Sequence, residues 1–539
     1  MTSTLSRPAA PGAVDVPHAR TVFRTGVDLV EEGGGAVRLD FLGREVLRFR
    51  GVTDSSQDRL RHMTIGGTPV TTPTPGERPG SDPQLAAILT RCRIFLAQAV
   101  VSGGQRLLEI ERVGSDEPVQ PTALRDEDEV QLSRLALAHR FRDEIAWQAP
   151  ATGARAVIGH PAVSALLDRL ARRRRVDDAL DRGPAGSPGG PAVPEPTPAA
   201  LRAVLELLTG AGIVERATTR PAGSAGPGGP ALLPSESDPV LRQWELADLL
   251  FHTRSRLGRT DAPFGGRFPF VDVLDPQPTV KALPPGRRLD LTVPDFTEIA
   301  DRDGSVLEVM EARRSVRGYG SAPMSLDALG EFLYRVARVR GSYGPRPTAG
   351  MPYAATSRPY PCGGGAYELE FYLTVRRCDG LETGCYYYDP AGHALIALDT
   401  PPAAQTALLD TASTSAGGTV VPDVLITLTS RFARVSWKYQ AIAYAVTLKH
   451  VGVLYQSMYL VATAMGLAPC GLGSGDSQMA ADAFGLDYLQ ESSVGDFLLG
   501  SLPDAAPAPS GVAPTDWRPG LSPDWPLAAA RRLERRRDA

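Results

Sequence analysis

Lysine is nearly absent: Lys281, Lys438 and Lys449 stand against 54 arginines in a chain of 539 residues. A sequence that uses arginine for almost every surface cation leaves each lysine as a candidate for a place where guanidinium cannot serve. One such place is a cation that must give up its proton. Cysteine is also sparse. Cys92, Cys362, Cys378, Cys385 and Cys470 are odd in number and scattered, with no CxxC pair. The seven histidines show no ligand spacing, so neither a disulfide framework nor a metal site is expected. A strong charge of one sign is lacking too. A formal net charge of −4 argues against nucleic acid or an anionic membrane as partner. No apolar run is long enough to span a bilayer: Val451 to Ala468 is interrupted by Gln456 and Ser457 and reads as a buried helix. The N-terminus has no apolar stretch of the secretory kind, so the protein is expected to be cytoplasmic.

What is present suits a multidomain globular chain. Hydrophobic residues make up 42%, and the 55 glycines and 48 prolines gather in a few linker-like stretches. Residues 1–20 read as a disordered lead and 21–115 as a strand-rich domain, because Val37–Phe41 and Glu45–Arg50 alternate apolar and polar side chains. Leu107–Arg112 adds a further strand. Residues 131–217 hold two helical periods, Ala162–Ala171 and Pro198–Leu208. The second has proline at its start and Gly210 past its end. With the turn at Ala211–Glu215 they suggest a winged-helix-like domain. Its basic run, Arg172–Arg175, suits a solvated helix end or a peptide-docking face better than DNA, given the acidic balance. Arg182–Pro198 forms a loop inside this domain. Residues 218–236 are a Pro/Gly linker, and 237–291 a connector with a helix near Trp244–Arg256. Residues 292–503 mix helices (Val306–Arg313, Leu326–Val339, Trp437–Met465) with strands (Tyr367–Val375, Tyr386–Tyr388, Val424–Thr429), an α+β pattern. The tail, 504–539, is Pro-rich, then basic, and is expected to be poorly ordered.

Four motifs in that last domain carry chemistry. Arg313-Arg-Ser-Val-Arg317 places guanidinium groups and a hydroxyl within five residues, which suits a phosphate. Pro361-Cys-Gly-Gly-Gly365 precedes an alternating strand, and Gly466–Gly475 is a second glycine-rich loop. Each lets backbone approach a planar ligand, or is simply a tight turn. Ser436 fits the N-cap of a long helix, which would place Lys438 and Tyr439 in its first turn. There the helix dipole would lower both pKa values and fit Lys438 for general-base work.

In this order the motifs resemble the SagB-type peptide dehydrogenases, nitroreductase-fold flavoenzymes of thiazole/oxazole-modified peptide biosynthesis. The likeness covers about Trp244 to Gly500, including Phe332–Arg338 and Lys449–Gly452. The region from about Gln131 is similar to the winged-helix-like extension of longer members, as in thiopeptide pathways. The resemblance implies an α+β nitroreductase-like FMN-binding domain preceded by winged-helix-like and strand-rich domains. Arg313, Ser315 and Arg317 would hold the FMN phosphate. Pro361, Cys362, Gly363 and Gly364 would line the flavin, and Leu472, Gly473 and Ser474 would lie near its reactive edge. Lys438 and Tyr439 match the family's catalytic pair. Cys362 replaces the more usual serine, and no arginine or lysine follows Gly495 within the domain to supply a second phosphate cation. The implied substrate is a leader-bearing precursor peptide with azoline rings made by a cyclodehydratase complex, oxidised to azoles with oxygen as final acceptor. A homodimer is implied as well. A nitro- or quinone-type flavin reductase and a non-catalytic scaffold of the cyclodehydratase complex are the rival readings.

Overall fold

The computed structural model describes residues 20–41, 43–65, 68–69, 83–115, 117–181, 194–218, 231–418, 420–504 and 520–538. Residues 1–19 of the expected lead, the hearts of both Pro/Gly stretches (182–193 and 219–230) and tail residues 505–519 lie outside the described residues. The chain divides into two compact units, Met1–Asp261 and Ala262–Ala539, so the stretch 237–291 is shared between them.

In the first unit, one seven-stranded sheet runs through both stretches read as separate domains. Strands Arg20–Phe23, Leu96–Ser102 and Gln105–Arg112 are continued by Ala154–Ile158, Glu144–Ala149 and Leu137–Phe141. Helices Asp54–Ile65 and Pro83–Cys92 interrupt the strand-rich region. Helices Pro161–Arg169, Val176–Leu180 and Pro198–Gly210 accompany a small sheet of Arg174–Arg175, Glu129–Leu132 and Val214–Arg216. Thr197 caps the last helix by accepting from the Ala200 amide. Gly210 does not lie past the helix end, as expected, but inside it. Its missing side chain admits the Gln120 carbonyl, and left-handed Gly212 makes the turn.

The second unit is built on an antiparallel sheet of seven strands: β1 (Arg288–Asp290), β2 (Leu369–Val375), β3 (Gly384–Asp389), β4 (Ala394–Leu398), β5 (Val424–Arg431), β6 (Cys470–Leu472) and β7 (Glu491–Leu499). Their spatial order is β1-β4-β3-β2-β5-β7-β6. Helices α1 (Val306–Ala312) and α2 (Leu326–Ala337) start where Ser305 and Ser325 accept from backbone amides three residues on. The unit also holds α3 (Pro402–Ser415), α4 (Phe432–Ser436), α5 (Ala443–Met465), α6 (Ser477–Phe484) and α7 (Trp525–Asp538). On one sheet face α2 and α5 bury Phe332, Leu333, Leu454 and Met458 against Phe371, Ile426 and Phe497. On the other, α3 and α6 pack Leu409 and Phe484 on Tyr372, Tyr387 and Leu498. Each such side chain contributes ~1.5–3 kcal/mol on leaving water. No described helix is long and apolar enough to cross a membrane.

Two expectations fail here. The long helix does not begin at Ser436. That residue closes α4, its hydroxyl donating back to the Phe432 carbonyl at 3.0 Å. Tyr439–Gln440 are extended and pair with Gly265–Gly266, Ala441 turns the chain at φ +64°, and α5 starts at Ala443. Lys438 and Tyr439 therefore precede the helix, and the dipole argument for their acidity has no structural basis. The tail, in turn, carries α7, which buries Leu533 against Val309 of α1 and Ala464 of α5.

Candidate active site

The break before α5 is what builds the site. Trp437 is buried, with its indole N–H donating to the Leu274 carbonyl at 2.7 Å, and Lys438 gives its own carbonyl to the Phe268 amide at 3.0 Å. The side chain of Lys438 then turns into an aromatic box. Its Nζ lies 4.7 Å from the Tyr353 ring centre and 5.1 Å from that of Tyr439, while Phe268 and Trp437 pack on Tyr353. Nζ donates to the Tyr353 hydroxyl, which donates in turn to the Gly364 carbonyl at 2.7 Å. Gly364 adopts φ +62°, and a β-carbon there would collide with Lys438 Nζ. The glycine loop and the lysine thus need each other. Arg434 of α4 fixes the surroundings by donating to the carbonyls of Ala366 (2.8 and 3.0 Å), Gln277 (2.7 Å) and Ala354 (3.3 Å). Burial and the neighbouring Arg431 push its pKa down to about 10.

On the other side of the loop, the Gly363 amide donates to His450 Nε2 at 2.7 Å, and His450 Nδ1 meets Glu368 Oε1 at 2.7 Å. A β-carbon on Gly363 would stand 3.3 Å from the Tyr439 hydroxyl. The Cys362 sulfur accepts the Tyr367 amide at 3.1 Å and lies 3.6 Å from Glu368 Oε2 and 3.5 Å from His450 Nδ1. Burial, then the nearby carboxylate, push its thiol pKa well above the ordinary value, so it is no nucleophile. Cys362, Glu368 and His450 bring ligand-type atoms within 4.8 Å of one another, a cluster that the sequence spacing did not signal.

The remaining motifs meet farther along α5. The Ser315 hydroxyl bonds that of Tyr459 at 2.8 Å, and the same Tyr459 oxygen accepts the Gly471 amide at 2.7 Å. Arg313 lies over the Tyr459 ring at 5.2 Å, and Val316 pairs its amide with the Pro469 carbonyl at 2.8 Å. Arg317 approaches Cys470, whose thiol is nonetheless raised by burial. Between these ends, the Tyr455 hydroxyl donates to the Asp496 carbonyl at 2.8 Å and contacts that of Leu472 at 3.4 Å. Gly473 and Ser474 are exposed, and nothing lies within 4 Å of where a β-carbon on Gly473 would stand. From His450 to Tyr459 the helix rises ~14 Å at 1.5 Å per residue. Through His450, Tyr455 and Tyr459, one helix therefore contacts the first glycine loop, the second glycine loop and the Arg313–Arg317 segment in succession.

Sequence reasoning missed Tyr353, Phe268, Glu368 and Asp496, whose partners are remote in the chain. His450 was legible only as part of Lys449–Gly452. The helix α7 brings Arg537 against Gly466, so cations do reach this end of α5 from beyond Gly495.

Residues 310–500 match the nitroreductase family and residues 130–261 match the family described as cyanobactin oxidase ThcOx. The curated protein MJ1384 of Methanocaldococcus jannaschii, named as a nitroreductase, is 28% identical over 190 residues, 35% of this chain and 86% of that protein. Among solved structures, a nitroreductase-type protein of Anabaena variabilis aligns at TM-score 0.33 and 19% identity, over 46% of this chain and 45% of that one. The E. coli microcin synthetase McbBCD complex, solved with truncated pro-MccB17 bound, aligns at 0.29 and 22% identity, over 35% of this chain and 71% of that one. A Desulfovibrio desulfuricans protein solved in complex with FMN aligns at 0.24 and 16% identity, over 36% and 86%. The chain therefore carries a segment similar to the nitroreductase family behind one similar to the cyanobactin-oxidase family, which supports the resemblance to the SagB-type dehydrogenases. The nitroreductase match supports an oxidoreductase.

Proposed function

We propose that this chain is an FMN-dependent dehydrogenase that oxidises thiazoline or oxazoline rings of a ribosomally made precursor peptide to thiazoles or oxazoles. The observation that carries the reading is the placing of Lys438 against the first glycine loop through Tyr353, with Tyr439 beside Gly363. The residues present suit the cofactor. Arg313, over the Tyr459 ring, and Arg317, beside Cys470, have no ion-pair partner among the described residues, so neither charge is neutralised before a phosphate arrives. The open face at Gly473 leaves room for a flat ring. Bound FMN would supply two-electron acceptance, with oxygen as the final oxidant.

The chain's own residues would do the rest. Lys438 or Tyr439 takes the proton from the ring carbon acidified by its carbonyl and C=N neighbours, while Tyr353 orients the Lys438 amine. Arg313, Ser315 and Arg317 hold the phosphate. Pro361, Cys362, Gly363 and Gly364 approach the ring with backbone, and Leu472, Gly473 and Ser474 flank its reactive edge. The peptide arrives from a cyclodehydratase complex, and the protein works as a homodimer.

Mass spectrometry of an azoline peptide incubated with the purified protein tests this. The expected result is a yellow protein and a loss of ~2 Da per ring, two hydrogens for one two-electron step. Tyr439→Phe should keep FMN and slow oxidation ~10²–10⁴-fold, the usual worth of acid–base help. A yellow protein that consumes NAD(P)H and leaves the peptide mass unchanged is a reductase; a colourless one is a scaffold.

A further inference from the structure

His450 accepts the Gly363 amide proton at Nε2, so that nitrogen carries no hydrogen. Its Nδ1 must then be the protonated one, and it donates to Glu368 Oε1 at 2.7 Å. One tautomer, the neutral Nδ1–H ring, satisfies both bonds. Glu368 has no exposed surface and His450 is 6% exposed, so neither side chain has water as an alternative partner. The 2.7 Å separation also sets this pair apart from a metal ligand set. Two donors on a tetrahedral zinc stand ~3.3 Å apart, given bonds of ~2.0–2.1 Å.

The pair grips the loop that faces Lys438. Gly363 and Gly364 are held at two points: the amide of the first by His450, the carbonyl of the second by Tyr353. Release of the first point leaves the partly buried Gly363 N–H without its partner. We propose that Glu368 and His450 are positioning residues of the site: the dyad clamps the Gly363–Gly364 backbone so that Lys438 and Tyr439 face the reacting ring in register. The inference rests on the dehydrogenase reading for its effect on rate, and on the geometry alone for its effect on the loop.

Two substitutions of near-equal size separate clamp from packing. In His450→Gln the amide oxygen reaches the Nε2 position and can accept from Gly363. In His450→Asn the shorter amide reaches only the Nδ1 position, where its NH2 donates to Glu368, and no group accepts from Gly363. Hydrogen exchange of the 361–366 backbone in the full-length protein reads the clamp without flavin. The wild type and His450→Gln should be protected, and His450→Asn should exchange at least ~10-fold faster. Azole formation per bound flavin should fall ~10²-fold in His450→Asn, the cost of ~1 Å misplacement, and stay within a few-fold of wild type in His450→Gln. Equal protection of the loop in both variants overturns the clamp. Equal rates per bound flavin in a pair whose protection differs overturn the positioning role. A wild type that clamps the loop yet oxidises no azoline refutes the dehydrogenase reading and leaves the clamp standing.

Discussion

Replacing Asp496 by asparagine isolates the most unfavourable buried charge near the site. Asp496 lies on β7, paired with Leu472 of β6, and is 9% exposed. Its Oδ1 has no hydrogen-bond partner among the described residues, and its Oδ2 occupies the space that a β-carbon on Gly475 would need. Thr427 is the one side chain that favours its ionised form, and burial outweighs it, pushing the pKa from 3.8 up to about 6. A raised folded-state pKa means that the folded protein holds the proton more tightly than the unfolded chain. This group's contribution to stability is therefore full below the unfolded value, near pH 4, and is lost as pH rises through about 6. At ~1.4 kcal/mol per unit, a shift of about two units makes the ionised carboxylate cost about 3 kcal/mol above pH 7. Asp496→Asn should remove that pH dependence. Urea unfolding midpoints of wild type and variant should nearly coincide at pH 4, and the variant should lead by up to about 3 kcal/mol at pH 8. A gap that stays constant across this range would refute the argument, because only titration of this carboxyl can open it.

Two further outcomes follow from the same geometry. Arg313→Ala with Arg317→Ala should weaken FMN retention ~10²–10⁴-fold, from charge-assisted bonds of ~1.5–3 kcal/mol each; full flavin occupancy would move the phosphate elsewhere. Leu533→Asp should strip α7 from α1 and α5 by burying an unpaired charge, so that limited proteolysis cuts within residues 520–538 while residues 262–504 survive. Unchanged protection of the helix would show that Leu533 does not anchor it.

Much of the second unit was legible because its signals are local. Ser305 and Ser325 cap α1 and α2 where apolar periodicity begins, and β2 and β5 are apolar runs with turn residues at their ends. The break between α4 and α5 was not. Helical periodicity continues back through Trp437, and only the pairing of Tyr439–Gln440 with Gly265–Gly266, over 170 residues away, pulls the chain out. A left-handed turn at Ala441, a residue with no special tolerance for it, gives no warning either. In α7 the few apolar positions, such as Leu533, are lost among arginines unless their partners Val309 and Ala464 are known. For the site, the motifs were visible as residues but their roles toward one another were not. That Gly364 makes room for Lys438, and that Tyr353 joins them, are facts of tertiary packing.

The scarcity of lysine acquires a second explanation from this packing. A lysine can lose its proton where arginine cannot, but Lys438 also lies tight against the Gly364 backbone and the Tyr353 hydroxyl, where the wider guanidinium of arginine would have to displace its neighbours. Lys281 makes the same steric point without any catalytic claim. Its compact ammonium reaches Glu491 at 2.5 Å and the Tyr372 hydroxyl at 2.6 Å, with the Tyr372 ring centre 5.3 Å away. Lys449, by contrast, lies exposed on α5, where arginine would do as well. Two of three lysines thus donate to tyrosine hydroxyls at close range, so retention of lysine does not by itself mark proton transfer. An inactive Lys438→Arg protein would consequently be no evidence for a general base, since displacement of the glycine loop predicts the same loss. Tyr439→Phe is the cleaner probe of acid–base chemistry, because it removes one hydroxyl and leaves the Lys438–Tyr353–Gly364 chain intact.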